Sequence, residues 1–215
     1  MTSAMLLPAE RIGRAIRRTL ALFIPAATSY RQMRYALAIL LLLTAPALAD
    51  APAARKQAQI DQTLDALKAA PSEEAAALLE AHLTEMWLNA GTPAVTLLMS
   101  RGLRELKAGD NSDAIEDFND AVTLQPDLAE GYRQLAMARY AAGDTKGAIE
   151  DLALAVQHEP RDFLAYRTLT DIFESQQNWK GAFDAWQKVL AIDPKTPDAQ
   201  KRLKHLQQQA FGQEA

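Results

Sequence analysis

The chain has 215 residues, 49% of them hydrophobic and 23% charged, with no cysteine and a formal net charge of -4. That length suits one domain or a short repeat array, and nine glycines and ten prolines are too few for a collagen-like or low-complexity chain. With no cysteine there is no disulfide, thiolate zinc site, cysteine nucleophile or acylated lipoprotein cysteine.

Charge is spread unevenly. Residues 1–49 hold six basic side chains and one acid, which leaves 17 basic and 26 acidic residues, a net charge of -9, from position 50 onward. So acidic a body repels phosphate backbones, which need clustered Lys and Arg, and nucleic acid is not an expected partner.

Residues 1–32 interleave Leu6, Ile12, Ile16 and Leu20 with Arg11, Arg14, Arg17 and Arg18. They read either as an over-extended start, with Met33 rather than Met1 as the initiator, or as a basic amphipathic leader. Residues 33–49 then read as a secretory signal peptide. Arg34 precedes the apolar run Tyr35 to Leu43, Thr44-Ala45-Pro46 breaks it, and Ala47-Leu48-Ala49 offers small residues for cleavage before Asp50. The run breaks well short of the roughly 20 residues a membrane span requires, so no stable span is expected after cleavage. The expected location is periplasmic or secreted.

Residues 50–57 are expected to form a flexible leader, and 58–93 a degenerate helix pair that caps an array. Within that pair, Ile60, Leu64 and Leu67 make one apolar stripe, and Leu79, Leu83, Met86 and Trp87 make another. Pro71-Ser72 separates the two helices, Ser72 is suited to cap the second, and Asn89 to Pro93 closes it.

A period of 34 residues follows. Pro126, Pro160 and Pro194 share it, as do Ala114, Ala148 and Ala182, and Ala121, Ala155 and Val189; Gly109 and Gly143 share it until Gln177 breaks the series. The glycines and the polar residues after them are stop-and-restart signals between helices, and the prolines end each second helix. The alanines stand where the helices of a hairpin cross.

These residues resemble the tetratricopeptide repeat, two antiparallel helices per 34-residue unit. The resemblance covers 95–128, 129–162 and 163–196, followed by a C-terminal capping helix over 197–211. The second unit carries Tyr132, Leu135, Ala136, Ala148, Leu152, Ala155 and Pro160; the third carries Tyr166, Leu169, Phe173, Ala182, Trp186 and Pro194. The first unit carries Leu98, Gly102, Ala114, Phe118, Ala121 and Pro126. Arg101, Glu105 and Arg139 depart from it by standing where the family prefers apolar groups, and Thr170 replaces a small residue. The fold class implied is all-α, a superhelical solenoid whose apolar faces are buried by stacked neighbours.

No GxSxG, P-loop, GxGxxG or HExxH pattern occurs. His82, His158 and His205 lie in three different units, and His82 with Glu85 is a lone HxxE, whereas a metal needs three or four converging ligands. No catalytic residue, cofactor or metal is expected. The resemblance implies a concave groove lined by the first helix of each repeat, and adding the period gives three columns: Met99, Arg133 and Arg167; Leu103, Met137 and Asp171; Leu106, Tyr140 and Glu174. Flexible methionines suit adaptable apolar contact and guanidinium forks suit carboxylates. The expected partner is therefore another protein or peptide segment, with acidic or C-terminal carboxylate groups at Arg133 and Arg167. The lysine–asparagine clamp of some chaperone-binding relatives is missing from these columns. The alternative is self-assembly through apolar array ends such as Trp87 or Phe211.

Overall fold

A computed structural model describes residues 52–212. The leader and signal segments read from residues 1–49 lie outside the described residues. Among the described residues there are nine helices and no strand. In chain order they are α1 (Pro52–Lys68), α2 (Glu73–Leu88), α3 (Pro93–Ala108), α4 (Asn111–Leu124), α5 (Ala129–Ala141), α6 (Thr145–His158), α7 (Phe163–Ser175), α8 (Trp179–Ile192) and α9 (Ala199–Phe211). None of them is long and apolar enough to cross a membrane.

Helices α3/α4, α5/α6 and α7/α8 are the three repeats, and each pair packs as one hairpin. Ala114, Ala148 and Ala182 are fully buried at the crossings, where a larger side chain would push the two backbones apart. In the first repeat the approach is closer still: a Cβ on Gly102 would sit 2.8 Å from the Phe118 ring. The turns between helices follow one scheme. Gly109 and Gly143 adopt φ of 89° and 88°, and the next amide reaches back to the carbonyls of Glu105 and Arg139, both at 2.9 Å. Asp144 and Asn178 then cap the following helices by accepting from the Gly147 and Gly181 amides, at 2.9 and 3.1 Å. Asp110 precedes α4 but its side chain makes no such bond.

The cores follow the stacking. Val95, Met99, Phe118 and Leu128 of the first repeat share a cluster with Leu135 and Ala138 of the second, and Leu152 shares one with Ala165, Leu169 and Ile172 of the third. Helix α9 covers Trp186 and Val189 with Leu206, and the Trp186 indole donates to the Ala199 carbonyl at 3.1 Å. At the head of the array, Leu97 and Leu124 are 68% and 63% exposed.

Helices α1 and α2 form an antiparallel hairpin. Ser72 accepts from the Ala75 amide at 3.3 Å, Lys56 donates to the Asn89 carbonyl, and Thr63 lies beside the Met86 sulfur. The sequence placed this pair at the head of the array, but its contacts place it on the third repeat. Ile60, Leu64, Leu67, Leu83 and Trp87 share a core with Phe163, lined by Leu164 and Ile192, whereas the core of the first repeat takes only Ala90 from this stretch. Burying side chains of this size is worth roughly 1.5–3 kcal/mol each.

Candidate functional site

The first helices of the repeats, α3, α5 and α7, carry the three sequence columns, and their residues have different fates. Met99 is buried in the core of the first repeat. Arg133 is 5% exposed and is gripped by Glu130 through contacts of 2.6, 2.7 and 3.0 Å, with the Asp162 carboxylate 3.7 Å away. Burial works against its charge, but Glu130 and Asp162 outweigh it and hold the guanidinium protonated beyond its ordinary range. Glu130 also accepts from Gln134 at 2.7 Å. Burial, reinforced by Glu130, pushes the Asp162 carboxyl up to about 6 despite Arg133.

Arg167 faces the hairpin. It donates to both Glu80 oxygens at 3.1 and 3.2 Å and to the Thr196 hydroxyl at 2.7 Å, and it lies 5.3 Å above the Phe163 ring. Asp193 stands 3.7 Å from the same guanidinium. Its carboxyl is pushed up to about 7, first by burial and then by hydrogen bonding to, and repulsion from, Glu80. Asp171 and Glu174 are taken by Arg202 of α9, at 2.9 Å for Glu174, and Arg202 itself lies 4.6 Å from the Trp186 ring centroid. The charges expected to await a partner are thus already answered within the chain, Arg133 by Glu130 and Asp162, and those of α7 by the returning α2 and α9.

The middle of the face remains open. Met137 and Tyr140 of α5 are each 37% exposed, and Leu103 and Leu106 of α3 are partly exposed. The Arg133 guanidinium lies 3.7 Å from the Met137 sulfur, and the Tyr140 hydroxyl lies 3.3 Å from that of Ser175. On α3 and α5, what the columns leave partly exposed is therefore apolar side chains, not a line of guanidinium groups.

Sequence reasoning missed a second line. Gln125, Glu159 and Asp193 are 34 residues apart and end α4, α6 and α8, and each meets the N-terminal segment. Gln125 accepts from the Thr92 amide at 3.1 Å, Glu159 from Gln57 at 3.4 Å, and Asp193 faces Glu80. Arg161, beside Glu159, pairs with Asp61 and with Asp65, the latter at 2.8 Å. The hairpin is thus laid along the turns between repeats. A polar side chain recurring at one helix end was the available signal.

Two departures from the repeat pattern also pair off. Arg101 and Arg139, on first helices, are ion-paired with the buried Asp117 and Asp151 on the second helices, Arg139 at 2.8 Å. The histidines are dispersed: His158 stacks on Tyr132, His205 meets Trp179 edge-on, and His82 is exposed. Among the described residues, no group of three or more His, Cys, Asp or Glu could hold a metal ion.

No protein-family profile matches the chain, and no curated protein matches it. Solved structures do. The Sgt2 TPR domain from Aspergillus fumigatus is 27% identical with a TM-score of 0.51, covering 55% of this chain and 80% of that one. The first TPR of Spaghetti, bound to the HSP90 peptide SRMEEVD, is 21% identical with a TM-score of 0.50, covering 54% of this chain and 91% of that one. The fold is a TPR solenoid. Stacked TPR hairpins account for the 34-residue period, the buried alanines at the crossings and the recurring left-handed turns.

Proposed function

We propose that this chain is an exported, non-catalytic TPR adaptor that recruits a protein partner in assembly of the cell envelope. The observation that carries the reading is the half-exposed pair Met137 and Tyr140 on α5, continued by Leu103 and Leu106 of α3, on a face whose charges are otherwise satisfied. A thioether and a phenol with such exposure offer adaptable apolar area and one hydroxyl. A solved domain of the same fold holds a peptide, so a peptide segment is the class of partner to test. The internal pairing of the column charges also changes what that segment needs: apolar side chains for the stripe, with acidic groups relevant only where an internal carboxylate is displaced.

The test is capture from native envelope extract by the wild-type chain and by Met137→Glu/Tyr140→Glu. A single protein held by the wild type and lost by the variant is the expected result. Equal capture by both would move the site off this face. N-terminal sequencing of the native protein checks the export step, with a chain beginning at Asp50 as the expected outcome.

A second reading, self-assembly through the array ends, is favoured by Leu97 and Leu124 at one end and by the 58% exposed Phe211 at the other. Trp87 does not contribute to it, because its ring is buried 5.7 Å from Phe163. Sedimentation across a concentration series separates the readings: a constant monomer mass removes self-assembly.

A further inference from the structure

The hairpin sits on a surface built like a binding site. Its floor is apolar, from Phe163, Leu164 and Ile192, and its rim is basic, from Arg161 and Arg167. The hairpin answers with matching chemistry: Leu83 and Trp87 point into the floor, while Asp61, Asp65 and Glu80 meet the two arginines. These polar contacts span 87 to 100 residues of sequence, so they are tertiary docking and not local helix pairing.

The fit is incomplete. The Trp87 indole nitrogen and the Arg167 Nε are buried there without a hydrogen-bond partner among the described residues. Unpaired buried polar atoms weaken an interface that apolar contact otherwise favours. Glu80 and Asp193 also bring two carboxyl groups against one guanidinium. By contrast, Trp186 under α9 has its indole satisfied by a carbonyl.

We propose that the surface of Phe163, Leu164, Ile192, Arg161 and Arg167 is a docking site for a partner helix with an apolar Leu/Trp-type stripe flanked by acidic residues, and that α1–α2 is its resident stand-in. The inference rests on the adaptor reading and adds where a second segment of the partner goes. Binding there requires the hairpin to leave, so the apparent affinity is the intrinsic one scaled by the fraction of molecules with the seat open.

The probe is a fluorescent synthetic peptide of residues 56–90, titrated against the full chain and against the full chain carrying Trp87→Ala. Removing the buried indole from the resident hairpin opens the seat, and the peptide is expected to bind the variant about a hundredfold more tightly than the wild type. A peptide carrying Asp61→Lys and Glu80→Lys is expected to lose that binding. Equal affinity for the two chains overturns the proposal. So does absence of binding to a Trp87→Ala chain whose α5–α8 amides keep their protection in hydrogen exchange. If Trp87→Ala unfolds the array, Asp61→Lys/Asp65→Lys in the full chain severs only the exposed pairs with Arg161, and a severalfold gain in peptide affinity is expected. In the wild type, α1–α2 amides are expected to exchange before those of α5–α8; uniform exchange overturns the stand-in role. Met137→Glu/Tyr140→Glu is expected to leave peptide binding unchanged, so failure of the peptide speaks against the seat and failure of extract capture speaks against the adaptor reading.

Discussion

Buried charge in this array comes in compensated pairs, and the repeats themselves show the alternative. Asp117 and Asp151 occupy one repeat position, 34 residues apart, and each is buried against an arginine from the first helix of its own hairpin. In the third repeat that position is Ala185, sharing an apolar cluster with Phe173, which stands where the second repeat has Arg139. Breaking a buried pair strands the remaining charge, whereas replacing both partners by packed apolar groups is often neutral or better. Arg139→Ala is therefore expected to destabilise the chain by about 3 kcal/mol in urea unfolding. Arg139→Phe/Asp151→Ala, which copies the third repeat, is expected to return it to wild-type stability or above. A double variant as unstable as the single would show that the ion pair is not what Arg139 contributes. Only half of the compensation was legible in the sequence: Asp117 and Asp151 share the 34-residue period, whereas Arg101 and Arg139 stand at different repeat positions, so each pairing shows only once its hairpin is folded.

At the scale of elements, local signals mark the turns and tertiary return sets what surrounds the columns; α1 begins at Pro52, inside the stretch 50–57 expected to be a flexible leader. The Gly109 and Gly143 turns, the prolines past each second helix and the Ser72 cap are all short-range codes, readable within a few residues. Gln177 is the informative exception. It takes the place of those glycines, keeps the same turn, with the Asn178 amide on the Phe173 carbonyl at 2.8 Å, and does so at φ of 57°. A side chain in the left-handed region costs roughly 1–2 kcal/mol, partly offset by the smaller freedom of the unfolded chain relative to glycine. Gln177→Gly is accordingly expected to stabilise the protein by about 0.5–1 kcal/mol, raising its urea midpoint at unchanged slope; a lower midpoint would mean that the side chain contributes contacts that outweigh the strain. The hairpin seat lies beyond such codes. Residues 58–93 have no clear counterpart in the repeats, and nothing local ties Glu80 to Arg167 or Trp87 to Phe163. The groove columns rest on the period along each helix, which carries no sign that α2 and α9 fold back and use Arg167, Asp171 and Glu174.

For the whole molecule, the consequence is an unusual dependence of stability on pH. Three buried carboxyls are raised: Asp151 and Asp162 to about 6 and Asp193 to about 7, in each case chiefly by burial. Asp151 faces Arg139 with Asp144 and Glu150 nearby; Asp162 faces Arg133, Glu130, Glu159 and the Ala165 amide; Asp193 faces Glu80 of α2, Arg167 of α7 and the Lys195 amide. An unfolded aspartate titrates near 3.9. A carboxyl whose folded value lies above that binds its proton more tightly in the native state, so its contribution is fully present below about 4 and is lost as pH rises through the folded value. The three together predict that the melting temperature falls between pH 5 and pH 8, in the range where ordinary paired carboxylates would hold it level or raise it. The loss is not shared evenly. Asp193 titrates last and its neighbour Glu80 belongs to the hairpin, so the step nearest pH 7 is expected to loosen α1–α2 ahead of the array. Hydrogen exchange at pH 5.5 and pH 8, corrected for the intrinsic rate, would show protection lost first over residues 56–88. Asp193→Asn keeps the shape without the titration and is expected to flatten that step while leaving the lower one, from Asp151 and Asp162, in place. A melting temperature that stays level or climbs from pH 5 to pH 8 would mean that Arg139, Arg133 and Arg167 hold these carboxylates ionised against their burial.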